Sequence, residues 1–253
     1  MDLIFDYPLA ILAVGFVPQC FAAYLGDVLQ RRRKPAEGAG QGDFSTILPA
    51  ALTLLALIVG FTFSMAVNRY DQRKNYEEAE ANAIGTEYVR ADLLPAAEAA
   101  RVRQILAKYV EQRVLFYELR DRVRLMQVNA DTAALQNSLW SAITGPALAQ
   151  PTPVTALVAS GMNDVLNSQG YTQAAWWNRV PVGAWILTGL VAVACNFLLG
   201  YSEQHSARMT LAVFPLIVTI ALVLVADIDS PRGGIIHVAP KNLIALLQSF
   251  SPH

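Results

Sequence analysis

The sequence predicts an all-α membrane protein with four transmembrane helices and a soluble helical domain inserted between the second and the third. Hydrophobic residues make up 54% of the 253 residues and charged residues only 15%, which is too apolar for an ordinary soluble domain. Charged residues are absent from four windows of membrane-spanning length: Tyr7–Gly26, Phe44–Asn68, Val180–Ser202 and Met209–Ala226. The second window passes without a proline into a charged run of helical composition, 69–94. We therefore expect the second helix to continue out of the bilayer.

The first two spans occupy residues 1–68. The first helix is expected from Pro8 to Gln30, with Pro18 as a mid-span kink. The basic run 31–34 follows it directly, whereas Asp2 and Asp6 precede it. Because short basic loops usually face the cytoplasm, this asymmetry favours both termini and the inserted domain on the outside.

The second span carries a face of small or hydroxylated residues. At about 100° per residue, five side chains fall within roughly 60° of one another: Thr46, Pro49, Thr53, Gly60 and Ser64. Small residues permit close helix packing in lipid, which is the commoner use of such a face. A stripe that lines a pore or a water-filled path has the same pattern, so both interpretations stay open.

The inserted domain, 69–179, carries equal numbers of basic and acidic residues and no alternating strand pattern. Apolar residues at three- and four-residue steps predict helices over Ala96–Gln127, Thr132–Ile143 with Asp131 as its cap, and Val154–Leu166. Four glutamates, Glu77, Glu78, Glu80 and Glu87, lie between basic residues, with Arg73 and Lys74 before them and Arg90 after them. We interpret them as a solvated helix face rather than a cation site.

The third and fourth spans form the segment 180–226. Gly189, Asn196 and Gly200 share one side of the third helix, within about 80°. An amide in hydrocarbon needs a partner or water, so we expect Asn196 to make an interhelical hydrogen bond or to face a wet cavity, and the glycines to pack closely.

The remaining residues, 227–253, predict a turn and a short amphipathic segment lying at the membrane surface. Asp227 and Asp229 begin like a calcium loop, but Pro231 and Arg232 stand where a ligand and a glycine are needed. We expect a structural ion pair of the two aspartates with Arg232 instead.

Catalytic and metal-binding patterns are missing from the sequence. The histidines, His205, His237 and His253, have no metal-ligand spacing to acidic or cysteine residues, and no phosphate loop or nucleophile motif occurs. We therefore predict no catalytic residue, no metal and no cofactor, and a protein that is not an enzyme. A net charge of −1 argues against a nucleic-acid partner.

Several stretches resemble a bacterial membrane family termed bestrophin-like: the run 59–95 (VGFTFSMAVNRYDQRKNYEEAEANAIGTEYVRADLLP), PVGAWIL after an arginine, LLGY, and DIDSPRGGIIHV. The resemblance covers nearly the whole chain and is thinnest over Val128–Thr172. A more distant resemblance to true bestrophins, pentameric anion channels, lies in Gly60-Phe61 and Asn68-Arg69-Tyr70. It implies that Phe61, Ser64 and Asn68 approach a pore, and that the inserted domain is cytoplasmic.

Two functions follow as hypotheses. The first is a homo-oligomeric ion channel, for anions, in the bacterial inner membrane, with a path along Thr53, Gly60, Phe61, Ser64 and Asn68. The second is a non-conducting membrane scaffold or sensor whose charge-balanced helical domain binds an unknown protein partner. In both, the lipid bilayer is a partner. Oligomeric mass distinguishes them, since a channel of this kind needs a closed ring.

Overall fold

A computed structural model describes residues 8–32, 41–202 and 210–250. Helices joined by short connections make up these ranges, and no strand occurs in them, which confirms the all-α fold class. Arg33, Lys34 and Arg208, on which the predicted orientation partly depends, lie outside the described residues. The chain divides into two compact units, Met1–Arg69 with Arg179–His237, and Tyr70–Asn178 with Val238–His253.

Four helices in the described ranges are long and apolar enough to cross a membrane, as predicted. The first unit holds their apolar segments: α1 (Pro8–Arg32), the first half of α2 (Gln41–Arg90), α6 (Val182–Ser202) and α7 (Thr210–Asp229). In this unit α1 packs against α6 and α7. The first half of α2 joins them through Leu55, which is buried with apolar residues of α6 and α7.

The second helix, α2, is continuous over 50 residues, as the sequence predicts. At about 1.5 Å per residue it is roughly 75 Å long, more than twice the thickness of a hydrocarbon core. Pro49 lies within it without ending it. A short 3₁₀ turn, Ala91–Leu93, follows directly.

The second unit is a helical module around one hydrophobic core. It contains the second half of α2, α3 (Ala96–Glu118), α4 (Arg122–Ala149), α5 (Pro153–Trp177) and α8 (Lys241–Phe250). The buried face of α3 supplies much of this core, with Val102, Leu106, Tyr109 and Val110 fully buried. Ala81 and Ile84 bring the second half of α2 into it.

The predicted division between α3 and α4 is wrong. The chain breaks at 119–121, and the Asp121 carboxylate caps α4 by accepting hydrogen bonds from the backbone N–H groups of Val123 and Arg124, at 2.8 and 3.0 Å. Asp131 lies inside α4 and accepts from the side chain of Gln127. Both aspartates precede a helical pattern, so the pattern alone could not separate a cap from an interior residue.

The predicted end points of the later helices are also wrong. α4 continues through Pro146 to Ala149, and α5 is nearly twice the predicted length, ending at Trp177. Thr152 and Thr155 form a capping box at the start of α5. Trp176 packs edge-on against Phe116 and Tyr117, so burial of this aromatic cluster holds the last turn of α5 helical.

The acidic run on α2 is a buried face and not a solvated one. Glu77, Glu80 and Glu87 are fully buried, whereas Glu78 is exposed. Arg113 of α3 forms an ion pair with Glu80, and the Thr172 hydroxyl donates to the same carboxylate at 3.0 Å. These partners lie far away in the sequence, and a local charge pattern contains no information about them.

The C-terminal helix α8 belongs to this second unit and packs against its hydrophobic core. Glu77 accepts from the backbone N–H groups of Asn242 and Leu243 at 2.9 and 3.0 Å, a carboxylate at a helix N-terminus. Leu243 is buried, and the ring of Phe250 stacks on Tyr88 with 3.9 Å between centroids. Protein rather than lipid therefore covers the apolar face of α8.

Candidate functional site

The membrane-spanning half of α2 has one face that its own chain leaves uncovered. Thr53, Gly60, Phe61, Ser64 and Asn68 are all exposed, and Phe61 is 62% exposed. The opposite face is buried at Leu55, Thr62 and Ala66. The helix therefore presents its small and polar side to whatever surrounds the chain.

Local geometry explains how polar residues are accommodated on this face. The Thr53 hydroxyl donates to the Pro49 carbonyl at 2.8 Å, so it is satisfied within the helix. A Cβ added at Gly60 would meet nothing within 4 Å. No described helix of the same chain thus packs closely against Gly60.

Leu57, which the sequence interpretation omitted, lies on the same side of α2, about 40° from Thr53 by helical geometry. Its side chain is exposed, as is that of Phe61. The exposed face is therefore not uniformly polar, because two large apolar groups interrupt it. A helical wheel that included apolar residues as well as small ones would have located Leu57.

An apolar groove of about 500 Å³ lies between α2 and α7, beside this face. Its lining residues include Leu52, Ala56, Gly60, Phe63, Phe214 and Ile217. Gly60 thus lies at the boundary between the exposed face and the groove.

A buried polar cluster joins α1, α6 and α7. The Asn196 side-chain amide donates to the Gln19 side-chain oxygen at 2.9 Å, and the Gln19 amide donates to the Thr219 hydroxyl at 3.2 Å. All three residues are buried, and the Asn196 side-chain oxygen has no hydrogen-bond partner among the described residues. The sequence interpretation selected Asn196 but missed Gln19 and Thr219; the amide of Gln19, within a charge-free window, was the available signal.

The two glycines named with Asn196 differ in their surroundings. A Cβ on Gly200 would lie 2.0 Å from the backbone oxygen of Ala23 on α1, so the two helices touch there. A Cβ on Gly189 would meet nothing within 4 Å. The structure brings Asn196 and Gly200 against α1, and it leaves Gly189 without a close neighbour.

The acidic residues after the fourth span hold backbone amides. The Asp227 carboxylate accepts from the N–H groups of Ile235 and Ile236, at 2.7 and 2.8 Å. The Asp229 carboxylate accepts from Val180 N–H, at 3.0 and 3.1 Å from its two oxygens. Arg232 is half-buried in the same turn. Asp227 and Asp229 therefore fix the backbone at the end of α7 and the start of the third span.

Within the described residues, no group of three or more His, Cys, Asp or Glu side chains could hold a metal ion. Cys20 and Cys195 are free cysteines. The features that remain as a candidate site are the exposed face of α2 and the groove beside it.

Comparison with protein-family models identifies one family. A model of the bestrophin-like domain matches residues 16–243. A search of curated protein sequences gave no significant match. Among solved structures, 19 chains match.

These structures include several of a bacterial bestrophin homologue from Klebsiella pneumoniae. One, which carries a single substitution, has a TM-score of 0.66 at 14% identity and covers 94% of this chain and 97% of that chain. A second substituted form has a TM-score of 0.65 at 11% identity, covering 96% and 94%. A third, phased on zinc, has a TM-score of 0.62 at 14% identity, covering 96% and 95%. At these identities the similarity concerns the fold.

Proposed function

Because this chain belongs to the bestrophin-like family, we propose that it is a subunit of a homo-oligomeric anion channel of the bacterial inner membrane, with α2 lining the ion path. One observation carries the proposal. The small and polar residues of the membrane-spanning half of α2 share one side, and that side is left uncovered by the rest of the chain. Copies of the chain arranged around an axis would turn these faces toward each other.

The chemistry of the face fits an anion better than a cation. No carboxylate occurs between Phe44 and Asn68, whereas cation channels commonly use rings of Asp or Glu. The hydroxyl of Ser64 and the amide of Asn68 can donate hydrogen bonds to an anion. Arg69 follows at the end of the apolar segment and adds positive charge.

Leu57 and Phe61 give the proposed path its narrow apolar part. Rings of exposed large apolar side chains can close a pore by dewetting, without any moving plug. Ser64 and Asn68 lie one to two turns further along the helix. The proposed path thus runs from an apolar constriction to a polar mouth.

Chloride flux into liposomes that contain the purified protein tests this function. We expect wild-type protein to conduct and Ser64→Leu to reduce the flux by about tenfold or more, because it replaces a hydrogen-bond donor in the path with an apolar side chain. Ala194→Leu is the matched control, since it adds a leucine at an exposed position of α6. Its flux should equal that of wild type.

The oligomeric mass in detergent supplies the second measurement. A closed ring of identical subunits is expected. A monomer that conducts no ions would contradict the channel and would agree with the non-conducting scaffold. If the protein forms a closed ring but Ser64→Leu leaves the chloride flux unchanged, the ions do not pass along this face of α2.

A further inference from the structure

Glu87 is a buried carboxyl group without a hydrogen-bond partner. It lies in the charged half of α2, outside the apolar segment, and its exposed fraction is 0%. Neither of its carboxyl oxygens has a hydrogen-bond partner in the part of the chain that the structure describes. Burying an ionised carboxylate without donors is costly, so such a group usually takes up a proton.

Gly161 of α5 closes the space around this carboxyl group. A Cβ added at Gly161 would lie 2.1 Å from one Glu87 oxygen and 2.4 Å from a terminal guanidinium nitrogen of Arg90. Even a methyl group at this position would therefore require the ends of these two side chains to shift. An ionisable group therefore lies directly in the contact between α5 and α2.

The other buried glutamates of α2 are in a different situation. Glu80 is paired with Arg113 and accepts from Thr172, and Glu77 accepts from the N-terminus of α8. Each therefore has donors that stabilise its negative form. Glu87 lacks such donors, although it is buried on the same helix.

Two charged side chains, one on α2 and one on α5, influence the pKa of Glu87. Arg90, on α2 itself, is half-buried, and Asp164, on α5, is exposed. Burial is the largest influence and raises the pKa of Glu87 from 4.5 to about 8, while Arg90 lowers it and Asp164 raises it. At neutral pH the carboxyl group is therefore mostly protonated.

We propose that Glu87 is a proton-binding site whose occupancy sets how tightly α5 packs on α2. When the O–H bond breaks, the proton passes to bulk water and the electron pair stays on the carboxylate. The resulting negative charge needs donors or water, and no described group donates a hydrogen bond to either oxygen. The contact between α2 and α5 consequently loosens on deprotonation.

The direction of the pH effect follows from linkage. The folded state holds the proton more tightly than the unfolded state, in which the pKa has its ordinary value. The stabilising contribution is thus fully present below about pH 4.5 and is lost as the pH rises through about 8. Mildly alkaline solution should loosen this contact selectively.

Hydrogen–deuterium exchange of the full chain in detergent tests the site, at a pH well below and a pH well above 8, with correction for the intrinsic exchange rate. We expect amides near Glu87 and Gly161 to lose protection by about tenfold or more at the higher pH. Glu87→Gln mimics the protonated group and should keep its protection at both values. Glu78→Gln, an exposed glutamate on the same helix, is the matched control and should behave like wild type.

Infrared titration of the carboxyl stretch keeps the proposal testable if Glu87→Gln does not fold. The midpoint of a buried carboxyl band should move down in Asp164→Asn and up in Arg90→Gln, because these changes remove the raising and the lowering charge. The absence of such a band, or unchanged midpoints in both variants, would overturn the proposal. So would a pH-dependent loss of protection in Glu87→Gln equal to that of wild type.

Discussion

At the scale of single residues, the second unit contains buried glutamates whose carboxylates accept hydrogen bonds from neighbouring groups. Glu80 and Arg113 are both fully buried, and Thr172 donates a further hydrogen bond to the carboxylate. Burial, together with the negative charge of Glu80, raises the pKa of Tyr109 far above its usual value. This phenol therefore stays neutral beside the ion pair, and its neutrality avoids a second buried negative charge.

Removing the arginine of this buried pair should lower the free energy of unfolding much more than removing an exposed arginine. Arg113→Met leaves the Glu80 carboxylate buried without its counter-charge, and we expect a loss of about 3–5 kcal/mol in unfolding free energy. Arg101→Met removes an exposed arginine from the same helix and should change stability by less than about 0.5 kcal/mol. Denaturant unfolding in detergent measures both. Equal losses in the two variants would contradict a stabilising role for the buried pair.

Such pairs mark a limit of sequence interpretation. Glu80 and Arg113 are 33 positions apart, and neither has a local signal that identifies the other. Glu80 lies in an acidic run between Lys74 and Arg90, which made a solvated face the simpler interpretation. The charge-free windows were predictable because the bilayer imposes the same requirement on every residue of a span.

At the scale of elements, the contact of α1 with α6 depends on glycines, whose lack of a side chain lets the two helices approach closely. Gly26 and Gly200 let the backbones of the two helices touch, and Asn196 adds a hydrogen bond to Gln19 nearby. In lipid, such packing and hydrogen bonding replace the hydrophobic driving force that holds soluble helices together.

The two glycines of the α6 stripe should respond differently to alanine. Gly200→Ala places a Cβ 2.0 Å from the Ala23 backbone oxygen, so the helices must separate, at a cost of about 1–3 kcal/mol. Gly189→Ala enters open space and should be neutral or slightly stabilising, since alanine favours the helix. Thermal unfolding of the detergent-solubilised variants measures this difference. Identical melting temperatures would show that the crossing at Gly200 adapts without cost.

Helical periodicity grouped Gly189, Asn196 and Gly200 on one side, but it could not say which of them meets a neighbour. The wheel gives an angle around the axis and no information on the height at which another helix crosses. Gly200 lies at that height, and Gly189 lies three turns away. The small and polar face of α2 was predictable from the same helical periodicity. Periodicity could not predict that the rest of the described chain leaves this face uncovered.

At the scale of the whole molecule, each unit is assembled from separate stretches of sequence. Two spans precede residues 70–178 and two follow them, and the chain then returns to the second unit at Val238. An even number of spans therefore separates the inserted segment from the C-terminal helix, and an odd number separates it from the end of α1.

Cysteine labelling of intact cells tests this topology. In a background with Cys20 and Cys195 replaced by alanine, Ala100→Cys and Ala245→Cys should react with an impermeant reagent from the same side of the membrane. Arg32→Cys should react from the opposite side. All three positions are exposed. Labelling of Arg32→Cys and Ala100→Cys from one side would refute the count of spans between them, and the side that labels Ala100→Cys decides between the two predicted orientations.

The last ten helical residues close the core of the second unit from outside the inserted segment. Shortening the chain at Pro240 would take away more than a surface appendage. It would strip Glu77 of its amide donors, leave the ring of Tyr88 without Phe250, and uncover the apolar residues that Leu243 now shields. A ribosome that has not yet released these residues holds an unfinished module, so this part of the protein completes its fold only after Lys241–Phe250 have left the ribosome.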